Sequence, residues 1–93
     1  WEYFYENGKV KMEGLIYNFL QEGIWTYYYE NGGKSMVGRM DKGKKHGYWV
    51  YYYENGQIKS EGVLKYGLQT GEWKYYHDDG TLKAKGNFEN GVG

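Results

Sequence analysis

Ring-bearing and polar side chains recur along this chain in short, similar runs. Trp1 to Tyr5, Trp25 to Tyr29, Trp49 to Tyr53 and Trp73 to His77 are each followed by an acidic residue, Asn or Asp, and Gly. A second run then alternates, as in Val10-Lys11-Met12 and Ile58-Lys59-Ser60. Period-two alternation bounded by glycine reads as half-buried β-strand, and nothing in the chain has the 3.6-residue period of a helix. The four tryptophans stand 24 residues apart, so the pattern is an internal repeat: 1–24, 25–48, 49–72 and an incomplete 73–93. We therefore expect an all-β chain, one domain over 1–93, folded as an elongated, twisted, single-layer antiparallel meander of four β-hairpin repeats with about eight strands. Such an array needs caps or neighbours at its ends. It is expected to be a fragment of a longer array, or to self-associate through its ends or a sheet face.

Asn7-Gly8, Asn31-Gly32, Asn55-Gly56 and Asp79-Gly80 are the favoured central pairs of a type I′ hairpin turn. A two-residue loop there pairs Tyr5 with Val10, Tyr3 with Met12 and Trp1 with Gly14. In the third repeat it pairs Tyr53 with Ile58, Tyr51 with Ser60 and Trp49 with Gly62. The column Trp1, Trp25, Trp49, Trp73 then faces the column Gly14, Gly38, Gly62, Gly86. An indole can lie across a cross-strand glycine, which makes both columns structural. The other face sets Phe4, Tyr28, Tyr52 and Tyr76 against Lys11, Ser35, Lys59 and Lys83, with lysine stems covering rings. Tyr28, Tyr52 and Tyr76 are the candidate stacking platform for a ligand.

Composition narrows the function. The chain has 13 Tyr, 4 Trp, 3 Phe and 16 Gly, with no Pro and no Cys. Without cysteine there is no disulfide framework and no thiolate chemistry. Twelve basic against twelve acidic residues leave formal net charge zero, so no nucleic acid is expected as partner. No apolar run has transmembrane length, no signal-like segment is visible, and the compartment is unassigned. Charge is uneven, however: the second repeat has five bases against two acids. Arg39, Lys42, Lys44, Lys45 and His46 gather in and beside one loop, a candidate contact for an acidic protein, an anionic lipid headgroup or a phosphate backbone.

The pattern G-x-W-x-Y-Y-Y-E-N-G-x-ϕ-K-x-E-G from Gly47 to Gly62, echoed from Gly71 to Gly86, resembles the MORN repeat. It is most similar to the bacterial variant in YwqK-family antitoxins. The second repeat departs from it, with Lys34 where an apolar residue is expected. The resemblance implies a twisted sheet of hairpins serving as a scaffold or binding surface, and the antitoxin association implies a toxin partner. MORN arrays also accompany phosphatidylinositol phosphate kinases, but no kinase constellation occurs in this chain.

Catalytic, cofactor and metal sites are not expected. Gly38 to Lys45 satisfies G-x-x-x-x-G-K, but Lys45 stands where a magnesium-binding hydroxyl belongs and no helix follows. Ser35 and Ser60, with only His46 and His77 available, make a poor nucleophile–base set. His77 occupies the Tyr5, Tyr29, Tyr53 column and reads as a fourth ring, and Asp78 and Asp79 read as turn residues. The expected function is a non-catalytic scaffold mediating protein–protein interaction, antitoxin-like if its partner is a toxin. The alternative is an aromatic surface binding cell-wall glycan, a choline-like ligand or anionic phospholipid.

Overall fold

The structure, a computed structural model, describes residues 1–89 and Gly91. Asn90, Val92 and Gly93, at the end of the incomplete fourth repeat, lie outside the described residues. Eight strands form one sheet in chain order: β1 (Glu2–Phe4), β2 (Val10–Tyr17), β3 (Leu20–Tyr28), β4 (Lys34–Asp41), β5 (Lys44–Tyr52), β6 (Ile58–Lys65), β7 (Leu68–Tyr76) and β8 (Leu82–Phe88). Every neighbouring pair is antiparallel. The described residues form a single layer that measures 36 × 32 × 14 Å. Lys34 does not stop β4, which begins there and pairs with Tyr28.

The Asn-Gly turns are not the expected two-residue type I′ turns. At Asn7-Gly8 the Gly8 amide donates to the Tyr5 carbonyl (3.0 Å), and the Tyr5 amide donates to the Lys9 carbonyl (2.8 Å). Gly8 alone takes positive φ, at 87°. This is a three-residue loop, a type I turn with a left-handed glycine bulge. Asn7 Oδ1 accepts from the Lys9 amide at 2.9 Å, so the asparagine caps the turn from a right-handed conformation. The two-residue turns lie instead between one hairpin and the next. Asn18-Phe19 (φ 51° and 66°), Lys42-Gly43 (50° and 82°) and Tyr66-Gly67 (50° and 89°) have the paired positive φ of type I′.

The longer loop shifts the pairs nearest it. Phe4 meets Val10 and Tyr52 meets Ile58, in place of Tyr5 and Tyr53, and a bulge then restores the expected register at Tyr3–Met12, Tyr51–Ser60 and Trp49–Gly62. Trp1 and Gly14 exchange backbone hydrogen bonds at 2.8 and 3.0 Å. The bulge also undoes the expected ring–lysine pairs. Lys11 and Lys59 place their ammonium groups 5.8 Å from the Tyr5 and Tyr53 rings, not opposite Phe4 and Tyr52.

A second irregularity directs each indole. Gly23, Ile24 and Trp25 together face the single residue Gly14, and Gly23 has a φ of 70°. The bulge tilts Trp25 back over the preceding repeat. A Cβ on Gly14, Gly38 or Gly62 would come within 2.3, 2.0 and 2.4 Å of the indoles of Trp25, Trp49 and Trp73. Each indole therefore covers the glycine of the repeat before it, not the glycine of its own hairpin. Trp25, Trp49 and Trp73 are 0, 0 and 2 % exposed and form the core with Met40 and Leu64. The two ends of the column differ: Trp1 is 70 % exposed, and a methyl on Gly86 would have no described atom within 4 Å.

Candidate functional site

One face of the sheet presents a continuous ladder of rings. Tyr27 sits between Trp25 and Trp49 at centroid distances of 6.4 and 6.2 Å, and Tyr51 sits between Trp49 and Trp73 at the same distances. Tyr75 extends it, 6.4 Å from Trp73. Interplanar angles of 30–42° give the tilted contacts that ring quadrupoles favour. The indoles are anchored, each Nε1 donating at 2.9 Å to a carbonyl of the preceding repeat: Leu15, Arg39 and Val63. The tyrosine hydroxyls are clamped in turn. Gln21 donates to Tyr27 (2.9 Å), Lys45 to Tyr51 (3.2 Å) and Gln69 to Tyr75 (2.8 Å).

The residues between the tyrosines vary, and that variation shapes the surface. Met12 and Met36 each lie between two ring columns and pack on the core, whereas the equivalent residue between Tyr51 and Tyr75 is Ser60. Replacing a thioether by a hydroxymethyl leaves a groove of about 410 Å³, lined by Tyr51, Lys59, Ser60, Leu64, Gln69 and Trp73. Reading the sequence by pairs missed this groove. The signal was present in the column Met12, Met36, Ser60, Ala84, where side-chain volume falls along the array.

On the opposite face the expected stacking residues are engaged with carboxylates. Tyr28 donates to Glu13 at 2.6 Å, and Glu61 accepts from both Tyr48 and Tyr76. Hydrogen bonding to Glu13, reinforced by burial, pushes the Tyr28 phenol up to about 12. Hydrogen bonding to Glu61 does the same for Tyr48, again to about 12, and raises Tyr76. The two phenols in turn hold the Glu61 carboxyl below its ordinary range, with Lys74 adding to the effect. Tyr52 contributes its carbonyl, which accepts the Tyr29 hydroxyl at 2.5 Å.

The basic residues of the second repeat do not share one direction. Lys45 folds onto the ring ladder, 5.0 and 5.3 Å from the Trp49 and Tyr51 centroids and 3.6 Å from Met36 Sδ. Arg39 and Lys44 are exposed and adjoin the inward Met40 and Lys45 in their strands, so alternation places them on the other face. Lys42 lies in the turn, its amide donating to Glu22 at 2.9 Å. His46 stacks on Tyr66 at 4.2 Å.

Hydroxyl and amide ties run from each turn to the next. Tyr5, Tyr29 and Tyr53 donate to the carbonyls of Tyr28, Tyr52 and Tyr76 at 2.5, 2.5 and 2.7 Å. Asn7, Asn31 and Asn55 donate to those of Glu30, Glu54 and Asp78 at 3.3, 3.2 and 2.8 Å. Asp79 accepts from Thr81 N and Oγ1 at 2.9 and 2.6 Å, bonds that hold its carboxyl below the ordinary range and mark it as turn chemistry. Among the described residues no group of three or more His, Asp or Glu is placed to hold a metal.

The MORN repeat variant family matches residues 1–18, 21–34, 45–66 and 69–90, well over half of the chain. This chain belongs to that family. Its members are generally non-enzymatic binding repeats. In the second MORN repeat the matched segment ends at residue 34, where the sequence departs from the pattern. Comparison with curated proteins and with solved structures gives no match.

Proposed function

We propose that this MORN array binds an extended segment of a protein partner on its ring-ladder face, with an apolar side chain of the partner seated in the groove at Ser60. The groove carries this reading, because among the described residues it opens the ladder to an incoming group beside Leu64 and Trp73. Lys59 lines it, which favours a partner with an acidic residue beside the apolar anchor. An antitoxin role would be a special case in which that partner is a toxin.

Two observations rank this above glycan or choline-like ligands. The indoles of Trp25, Trp49 and Trp73, the strongest stacking surfaces of the ladder, are covered. Four rings on this sheet already carry lysines: Lys11 lies over Tyr5, Lys45 over Trp49 and Tyr51, and Lys59 over Tyr53. On those rings a soluble cation would have to displace a tethered one.

Ser60→Met tests the reading, since it copies the first two repeats and so preserves the fold. Selection of a random peptide library on the native chain should enrich sequences with an apolar anchor next to Asp or Glu. Their binding should fall about tenfold or more in Ser60→Met, the loss of one buried anchor. Enriched peptides that bind Ser60→Met as well as the native chain would refute the assignment, as would retention of glycan and of no peptide.

A further inference from the structure

We propose that the cavity between the second and third Asn-Gly turns accepts a primary alkylammonium group, the chemistry of a lysine side chain or a free alkylamine, over the ring of Tyr29. The chain makes this contact with its own lysines in the repeats on either side. Lys11 sets its ammonium 5.8 Å from the Tyr5 ring centroid, and Lys59 stands at the same distance from that of Tyr53. That is within the range at which a ring face attracts a cation. The second repeat carries Ser35 in the lysine column, an uncharged side chain that ends at Oγ. Among the described residues no ammonium lies over the Tyr29 ring.

A second substitution clears the same gap. Lys9 and Gln57 reach forward to the turn of the following repeat. A Cβ on Gly32 would stand 3.9 Å from Lys9 Nζ, and one on Gly80 would stand 3.1 Å from Gln57 Oε1. Gly33 occupies that column in the second repeat, and a Cβ on Gly56 would meet nothing within 4 Å. Both side chains that fill the space between neighbouring turns are therefore cut short at this one step of the array.

The cavity there, of about 370 Å³, is lined by Tyr5, Tyr29, Glu30, Asn31 and Glu54. One 24-residue unit earlier the equivalents of its last four residues, Tyr5, Glu6, Asn7 and Glu30, line a cavity of about 530 Å³ together with Lys11. The earlier copy thus has an ammonium built into its wall, and the later one has the same ring, amide and carboxylates without it. Glu30 and Glu54 are exposed and supply the countercharge. A primary ammonium suits them better than a quaternary one, because it brings N–H donors to the carboxylates as well as charge to the ring. The cavity shares no lining residue with the groove at Ser60, so the two sites can be tested apart.

Titration of the 93-residue chain with n-butylammonium, and with a capped peptide carrying a single lysine, tests the proposal when followed by NMR at the tyrosine rings. Both should shift the Tyr29 signals with a Kd of about 1–10 mM, as suits one cation–π contact and two exposed charges. n-Butanol and the same peptide with its lysine acetylated should not. Tighter binding of the peptide than of the amine would identify a polypeptide lysine as the source, and equal binding a free amine. Glu54→Gln should weaken binding about threefold. Ser35→Lys copies the repeats on either side, so it should keep the melting curve while weakening binding tenfold or more. Tyr29 signals unmoved up to about 100 mM amine, equal shifts from n-butanol, shifts as large at Tyr53 as at Tyr29, or undiminished binding by Ser35→Lys would each overturn the proposal.

Discussion

Gly38→Ala and Gly86→Ala make the same chemical change in the same repeat position, yet the structure assigns them opposite signs. Neither glycine has positive φ, so an L side chain is allowed at both and conformational strain drops out of the comparison. At Gly38 the new methyl would stand 2.0, 2.3 and 2.4 Å from Cδ2, Cε2 and Cγ of Trp49. Those atoms belong to a rigid ring held by its Nε1 bond to Arg39 and by Tyr27 and Tyr51 on either side. Relief therefore requires the indole to move as a unit. Overpacking of this kind costs about 1–3 kcal/mol. Loss of the Nε1 bond adds about 0.5–1.5 kcal/mol. At roughly 4–8 °C per kcal/mol for a domain of this size, a combined loss of about 1.5–4.5 kcal/mol lowers the melting temperature by about 6–36 °C. At Gly86 the methyl meets no described atom, and replacing glycine narrows the unfolded ensemble, a gain of about 0.4–1 kcal/mol. Thermal and urea unfolding followed by tryptophan fluorescence, at concentrations where both variants are monomeric, would measure the pair. Equal destabilisation of the two, or a Gly38→Ala variant as stable as the native chain, would refute the assignment of each indole to the preceding repeat's glycine.

Phe19 holds φ at 66° while 99 % exposed, in the column occupied by Gly43, Gly67 and Gly91. Phe19→Gly should raise stability by about 1 kcal/mol in urea unfolding, since it relieves a left-handed L residue and removes no packing. Tyr29→Phe removes the hydroxyl that reaches the Tyr52 carbonyl and should cost about 1 kcal/mol, whereas Tyr3→Phe should shift the same melt by less. In alkaline titration followed at the phenolate absorbance band, Tyr28 and Tyr48 should ionise last, near 12, against an ordinary value of 10.0. Because the fold favours the protonated phenols, their contribution to stability is complete below pH 10 and is lost as pH rises from there towards 12. The Glu61 carboxylate contributes with the opposite sense, fully above 4.5 and less as pH falls below it. Glu61→Gln should return Tyr48 towards its ordinary value, and an unchanged Tyr48 midpoint in that variant would contradict the bond.

The repeat, the hairpins and the central register were legible because each rests on one signal repeated four times, a tryptophan every 24 residues followed by an Asn-Gly or Asp-Gly turn. The turn type was not legible. Asn-Gly suits a type I′ pair, and it equally suits a type I turn whose left-handed residue is the glycine. Conversely, Lys42-Gly43 and Tyr66-Gly67 carry no residue at their first position that announces positive φ. Which glycine each indole covers was also hidden. Trp25 has Gly14 on one side and Gly38 on the other, and only the bulge at Gly23 decides between them. The groove at Ser60 lay in a column that pairwise reading treats as equivalent positions. Lys45, grouped by sequence with a basic loop, faces the rings because alternation separates it from Lys44.

The ties between turns have a consequence for how such a chain changes over generations. Tyr5, Tyr29 and Tyr53, with Asn7, Asn31 and Asn55, reach 23 residues ahead, and the N–H groups of Trp25, Trp49 and Trp73 ten residues back, so among the described residues these ties bind each repeat to its immediate neighbours. Duplication or loss of one whole 24-residue unit leaves each surviving contact with an equivalent partner. A gain or loss of one residue inside a unit breaks every tie that spans it. Array length is therefore free to drift under recombination between repeats, whereas the length of the unit is held fixed by selection.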